Sequence, residues 1–277
     1  MRLIRQRLLT NPRLEELLGG RIFYAKSPYD TDAEKTYPQL ILTLERLTDA
    51  VHGVAGNLTA TIICSQETVP SELIERPLRL ALEGVFFNDE RIFSLKWKKS
   101  EPFAEPAAER LPLIVGLEVE FEVREYPSAE TSTPDAVQGL NDFFAEKCCV
   151  IGRTPFEIFV PTNGLPAVWF ETQAAKMTTR TYATTWLEAT IRGHLFAPDV
   201  TSRRLWLTQF LNELSTVKAI RLRDDSPLRI ENVEVDFAAL DLDGQLKITA
   251  AYGLPRLEVF TTPINHKNFS WRTENVN

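Results

Sequence analysis

The chain has 277 residues, of which 44% are hydrophobic and 25% are charged. This composition is that of a soluble globular protein and leaves room for one large or two ordinary domains. The net charge of −7 argues against bulk attraction to nucleic acid. No apolar run approaches the roughly 18 residues of a membrane span, and residues 2–9, in which Arg and Leu are interleaved, predict no signal peptide.

Residues 1–18 carry apolar positions at helical spacing. Asn11 followed by Pro12 is typical of an N-cap and a first helical position, so a second short helix should begin there. Gly19 and Gly20 should end that helix, because glycine adopts the left-handed conformation that closes a helix at little cost.

The remainder of the first half predicts one long helix between strands. Its apolar spacing indicates a helix over 68–87, with Ser71 as N-cap and a kink or a late start at Pro77. Alternating apolar and polar residues indicate the strands. The predicted strands are 21–24, 39–45, 58–66, 91–99 and 111–126, and the predicted loops are 27–36, 46–57 and 100–110.

The second half predicts a similar order of elements after a short helix at 135–147. Pro198 and Asp199 should open a second long helix that ends near Leu214. Asp243 with Gly244 is typical of a two-residue hairpin turn. The predicted strands are 156–160, 167–172, 186–196, 217–223, 228–240 and 245–254, with a turn at 161–166 and a loop at 174–185.

An internal duplication explains this similarity. The stretch 58–62 (LTATI) recurs at 187–191 (LEATI), an offset of 129 residues. The same offset relates a helical face and an alternating strand further along the chain, so we interpret the sequence as two copies of one unit. The helical positions are Leu78, Ala81, Leu82 and Val85 against Leu207, Phe210, Leu211 and Leu214, and the strand positions are Leu117, Val119, Phe121 and Val123 against Leu246, Ile248, Ala250 and Tyr252.

The predicted fold class is therefore α+β, with two tandem copies of a sheet that has helices packed on one face. Each predicted helix has one apolar stripe, so one face of a sheet is enough to bury it. The expected division is a first unit at 1–126, a Pro- and Thr-containing linker at 127–137, a second unit at 138–262 and a polar C-terminal tail at 263–277.

Residues that commonly carry chemistry are scattered. Cys64 stands alone and Cys148 adjoins Cys149, which is neither a disulfide framework nor a metal motif. The segment 241–244 (DLDG) fits a hairpin turn better than a calcium loop, because the later ligands of such a loop are missing. We predict no catalytic, cofactor-binding or metal-binding residues. The histidines, His52, His194 and His266, share no ligand spacing.

Three surface features are candidates for contacts with partners. Glu118, Glu120 and Glu122 place an acidic stripe on one strand, which is either an interaction surface or a solvated strand face. Arg203 and Arg204 form either a basic spot or the polar edge of a helix. Trp271 is an aromatic residue in an otherwise polar tail.

The order and spacing of these elements resemble the tail-terminator, or tail-completion, family of long-tailed bacteriophages. The likeness extends over roughly 1–126 and 138–258. It is carried by the N-terminal helix, the strand start at 37–41 (YPQLI), the segment 58–62, the helix near Ser71 and the strand 117–121 (LEVEF), and in the second half by 165–169 (LPAVW) and 187–191.

The resemblance implies a structural protein without catalytic residues or cofactors. Members form ring homo-oligomers, commonly hexamers, that stop growth of the tail tube and offer a surface to neck or head-completion proteins. The expected location is then the virion tail or neck, with assembly in the host cytoplasm, no membrane partner, and DNA only passing through the lumen. The expected contacts are the loops 27–36, 46–57, 100–110 and 174–185 and the tail with Trp271. This chain departs from the family in carrying two units where typical members carry one.

Two other functions remain open from the residues alone. A pair of α+β units could bind a peptide or small ligand in a groove between them, and a deep pocket there would favour that reading. An enzyme with a site between the repeats would need a buried cluster of carboxylates or histidines, and the wide spacing of the three histidines argues against it.

Overall fold

The structure is a computed structural model that describes residues 1–25, 36–51, 54–65, 68–105, 114–131, 134–239 and 243–255. The tail at 263–277, with Trp271 and His266, lies outside the described residues. So do His52, most of the predicted loop 27–36 and the second half of the predicted loop 100–110.

The first unit contains three helices and six strands among its described residues. Asn11 caps the second helix, because its side chain accepts hydrogen bonds from the backbone N–H groups of Arg13 and Leu14. Gly19 ends that helix with φ of 54°. The elements are α1 (Arg2–Leu9), α2 (Pro12–Leu18), β1 (Ile22–Tyr24), β2 (Gln39–Val51), β3 (Val54–Ser65), α3 (Ser71–Leu82), β4 (Phe86–Asn88), β5 (Ile92–Glu105) and β6 (Ile114–Glu125).

The second unit repeats this order with two helices and seven strands among its described residues. Asp199 caps its long helix by accepting a hydrogen bond from the backbone N–H of Ser202. The elements are α4 (Ala136–Phe144), β7 (Cys149–Val150), β8 (Ile158–Phe159), β9 (Ala167–Arg180), β10 (Thr184–Phe196), α5 (Val200–Thr216), β11 (Ile220–Arg221), β12 (Pro227–Val235) and β13 (Leu246–Pro255).

The strand order shows that the two units have the same topology. The first sheet runs β1-β2-β3-β6-β5-β4-β8, and the second, taken from its other end, runs β7-β9-β10-β13-β12-β11. In each sheet a short first strand pairs in parallel with the next strand, and all other pairs are antiparallel. The structure thus confirms the predicted α+β class with two tandem units.

One apolar face of each sheet is covered by the helices of its unit. In the first core, Leu58, Ala60 and Ile62 of β3 are fully buried against Leu78 and Leu82 of α3 and the apolar residues of α1 and α2. The second core repeats this arrangement with β10, β13, α4 and α5. Burial of these faces is the main favourable contribution to the stability of each unit.

The register corrects one detail of the duplication. Ile62 pairs with Leu117 in the first sheet, and Ile191 pairs with Ile248 in the second. Leu117 therefore corresponds to Ile248, an offset of 131 residues and not 129. Since side chains alternate with a period of two, this shift leaves the buried face unchanged, which is why the sequence alone did not reveal it.

Several predicted boundaries are wrong because the strands are longer than their apolar cores. The predicted loop 46–57 consists mainly of the ends of β2 and β3, the start of loop 100–110 belongs to β5, and loop 174–185 is mostly β9 and β10. The clearest case is residues 172–180 of β9, which are all exposed, so no alternation of buried and exposed positions marks them as a strand.

One helix cap, one proline position and one turn also differ from expectation. Ser71 is the first residue of α3, and Pro70 takes the cap position. Pro77 lies inside the helix, where it cannot donate the usual hydrogen bond to the carbonyl of Leu73. Residues 236–245 join β12 to β13, so Asp243 with Gly244 is not a two-residue hairpin.

A short strand from the second half of the sequence joins the two units. Strand β8 pairs antiparallel with β4, placing Phe159 opposite Phe86, and the backbone N–H of Asn88 donates to the carbonyl of Glu157 at 2.9 Å. Beside it lies a third buried group, which we call the junction cluster. Its members are Phe86, Tyr126, Cys149, Ile151, Ala167 and Phe196, with Ile92, Phe156, Phe159 and Trp169 packed against them.

Removing the centre of the junction cluster should destabilise the protein. The Phe86 side chain is fully buried and its ring lies 5.0 Å from that of Phe196 and 5.3 Å from that of Tyr126. We expect Phe86→Ala to lower the free energy of unfolding by about 3–5 kcal/mol, measured by urea denaturation. Leu80→Ala is the control, since Leu80 is 71% exposed and should change stability by less than about 0.5 kcal/mol. Equal effects of the two variants would contradict the assigned role of the cluster.

Candidate interaction surfaces

The acidic stripe lies on the face of the first sheet opposite the helices. Strand β6 directs Leu117, Val119 and Phe121 into the core and therefore Glu118, Glu120 and Glu122 to the other face. The structure thus places the three glutamates along the central strand of the sheet, on the face opposite the described helices of this unit.

Lysines of the neighbouring strand offset part of this acidic charge. Lys98 donates to Glu120 at 2.7 Å, and Lys99 lies 3.6 Å from the same carboxylate. Arg124 donates to Glu122 at 2.7 Å. Glu118 is exposed and pairs across the sheet with Glu101, whose carboxylate accepts a hydrogen bond from Lys99 at 2.9 Å. Glu118 thus has another glutamate, and not a lysine, as its cross-strand neighbour.

The two candidate arginines lie in the helical layer of the second unit, not on a sheet face. Arg203 and Arg204 are in α5, which packs on the covered face of the second sheet, and Arg204 is exposed while Arg203 is half-buried. They do not form one patch with the acidic stripe of the first unit. Trp271 lies outside the described residues.

A groove of about 580 Å³ lies between the units on the helical side. Its walls carry both charges, from Glu75, Arg76, Arg79 and Glu83 of α3 and its end, together with Leu80 and with Pro198 of the second unit. The Arg79 guanidinium lies 3.8 Å from the centre of the Trp97 ring, which holds it against the sheet. The sequence left open a groove between the units but did not identify its lining, because the groove forms only where α3 comes close to Pro198.

His194 is buried at the end of β10, next to the junction cluster. Its Nε2 lies 3.4 Å from Glu171 and its ring centre 5.0 Å from that of Trp169. The indole N–H of Trp169 donates to the carbonyl of Pro127 at 3.2 Å, so this group lies against the start of the linker. Hydrogen bonding with His194 lowers the pKa of Glu171 below its ordinary value.

The outer part of the β9–β10 hairpin has exposed side chains along β9. From Thr172 to Arg180 every residue of β9 is exposed. Met177 is 61% exposed and Tyr182, in the turn, is 65% exposed. Apolar side chains displayed at the tip of a strand pair can serve as contacts, and they coincide with the predicted contact loop at 174–185.

The three thiols are buried and therefore poorly reactive. Burial raises the pKa of Cys64 and of Cys149 to about 11 and that of Cys148 to about 12. None of the three forms a disulfide. Across the described ranges, no cluster of three or more His, Cys, Asp or Glu residues is arranged to hold a metal ion.

No helix within the described parts of the chain is long and apolar enough to cross a membrane. Comparison with known proteins identified no relative from which a function could be transferred, so the proposals below rest on the geometry of the chain itself. No protein-family model matches the chain, and no curated protein matches it.

The lysines around Glu120 should give the first sheet a measurable pH dependence. Hydrogen bonding from Lys98, with the charges of Lys98 and Lys99, holds the pKa of Glu120 below its ordinary value of 4.5. A lowered pKa in the folded state stabilises the protein above pH 4.5, and this stabilisation is lost as the pH falls through the lowered value. We expect Glu120→Gln to reduce the loss of stability below pH 4.5, measured by thermal unfolding between pH 3 and pH 7.

Glu118→Gln is the matched control, because Glu118 lies opposite another glutamate and not opposite a lysine. A decline with acid that is the same in wild type and in Glu120→Gln would contradict the assigned pairing.

Proposed function

We propose that this protein is a structural component of a phage or phage-like tail, whose copies form a ring that ends the tail tube and joins it to the neck or head. The observation that carries the proposal is the contact between the two units. It joins unlike surfaces of two similar units, since β4 of the first accepts β8 of the second. Such head-to-tail contacts are the kind that close into rings when the rotation between subunits permits.

The acidic stripe supports the same proposal. It lies on a sheet face that the helices of its unit leave uncovered, and it is partly neutralised by lysines. A surface of mixed charge can either meet the tube or line the opening through which DNA passes without binding it tightly. The equivalent strand of the second unit, β13, carries Lys247 and Thr249 on that face, so the two units would present different surfaces to their neighbours.

The groove between α3 and Pro198 favours a second function. Its paired charges and the 71% exposed Leu80 fit a peptide with both charged and apolar side chains. In this reading the chain is a binding module. A monomer that binds peptides from a mixed-sequence library, and loses that binding in Leu80→Asp, would favour this second function. Leu205→Asp is the control and should keep the binding, because Leu205 is exposed on the other long helix.

The mass of the purified protein and negative-stain images of the same sample test the proposed ring. We expect closed rings with a central opening wide enough for a DNA duplex. Added to the assembling tail-tube protein of the same phage, the purified chain should shorten the tubes. A monomer that leaves the length of the tubes unchanged would contradict the proposal.

A further inference from the structure

The two sheets carry equivalent rows of apolar side chains that differ in burial. The first row crosses β2, β3 and β6 and consists of Leu44, Leu58 and Phe121. The second row crosses β9, β10 and β13 at the matching positions and consists of Met177, Leu187 and Tyr252. Both rows lie on the face of the sheet that the helices cover, because the next residues in the same alternation, Ala60 and Ala189, belong to the two cores.

The start of the chain covers the first row. Leu58 and Phe121 are fully buried in the same core as the apolar residues of α1. Met1, which precedes that helix, lies with Leu44 around a small cavity of about 180 Å³. The hydroxyl of Tyr24 donates to the carbonyl of Met1, which fixes the beginning of the chain in this place. The first row is therefore shielded from water.

The second row lacks an equivalent cover among the described residues. The second unit has one helix, α4, before its first strand, where the first unit has two. Leu187 and Tyr252 are only half-buried, and Met177 is 61% exposed. Ala129 of the linker packs against the second core but leaves Met177 open to water. Adjacent apolar side chains on one face of a sheet gain free energy when another segment covers them.

The last described strand ends close to the second row. Pro255 ends β13, a few positions beyond Tyr252, and Met177 lies two strands away on β9. With about 3.3 Å per residue along a strand and about 4.8 Å between strands, Pro255 and Met177 are about 14 Å apart. The sequence continues from residue 256 to residue 277. About five residues of extended chain are enough to span the distance.

The first residues of this continuation have the pattern that such a cover requires. Leu257 and Val259 alternate with Glu258. An extended chain would therefore direct both apolar side chains to one side and the carboxylate to the other. Phe260 follows directly and adds a large apolar side chain within reach of the row.

We infer that residues 256–262 fold back over Met177, Leu187 and Tyr252 of the same chain and complete the second unit as α1 completes the first. The segment belongs to the same chain and not to a neighbouring copy, because a segment tethered about 14 Å from its site has a high effective concentration there. Met177 is then shielded within the chain. The inference concerns each chain by itself and does not depend on the proposed ring.

The reactivity of a thiol at position 177 tests this cover. In the full chain, Met177→Cys should react with a maleimide several-fold more slowly than Met177→Cys combined with Val259→Asp, because a carboxylate on the apolar side would keep the segment off the row. Thr262→Asp is the matched control, since it adds the same charge on the opposite side of an extended segment, and it should leave the rate unchanged. The native thiols should contribute little, because all three are buried and their pKa values are raised.

Shortened chains separate this segment from the rest of the C-terminus. A chain ending at Thr262 should keep the slow reaction of Met177→Cys, and a chain ending at Pro255 should react several-fold faster with unchanged circular dichroism. Leu205→Cys should react at the same rate in every chain length, because Leu205 is 67% exposed on α5. Equal rates for Met177→Cys in all variants would overturn the inference. Shielding that appears only as the protein concentration rises would also overturn it, because the segment would then come from a second copy.

Discussion

The pairing of β8 with β4 is the contact on which the arrangement of the two units depends. An edge strand presents unpaired N–H and carbonyl groups that require a partner, water or protection. Here the first sheet is continued by a strand from the second half of the chain, and the backbone pairing is reinforced by rings packed at 5.0–5.5 Å around Phe86 and Tyr126. The hydroxyls of Tyr126 and Ser94 are hydrogen-bonded at 2.9 Å, so the polar end of the Tyr126 ring has a buried partner.

The same contact explains why the duplicated units are no longer alike. The first unit has a buried phenylalanine at its β4 edge, whereas β11 exposes Arg221 and keeps only Ile220 inside. The β4 edge can be apolar, because β8 covers it within the folded chain and keeps it from water. An edge that faces water must avoid pairing with other chains, and a short strand with a charged residue meets that requirement. The divergence of β4 and β11 therefore follows from a contact within the chain at the first edge, which the second edge lacks among the described residues.

The sequence was informative wherever burial of one face set the pattern. The offset between Leu58 and Leu187, the alternation along β6 and the caps at Asn11 and Asp199 all follow from local chemistry, and they correctly predicted two tandem α+β units. The strand extensions were missed because residues 172–180 are exposed on both sides and carry no periodic signal. Strand β8 was predicted as a strand, but pairing with β4 is a long-range choice that no local pattern encodes.

The candidate surfaces were likewise predicted only where a local sequence pattern determined them. The alternation of Glu118, Glu120 and Glu122 fixed their common face, but their pairing with Lys98 and Lys99 depends on the register of two strands and a bulge between Trp97 and Lys99. The groove beside Leu80 and the group around His194 each combine residues from segments far apart in the chain, and only the folded structure brings them together.

The origin of β8 also has a consequence for how the gene can be divided. A fragment that ends at the linker would contain α1 to α3 and strands β1 to β6 of the first sheet, and would look complete by secondary structure. It would nevertheless expose the edge of β4 together with Phe86, an apolar strand with open hydrogen-bonding groups and no charged residue among its three. Such an edge favours pairing between identical fragments. The two halves, although similar in fold and each with its own core, are thus not interchangeable, and we expect the first half alone to associate with itself through its exposed β4 edge.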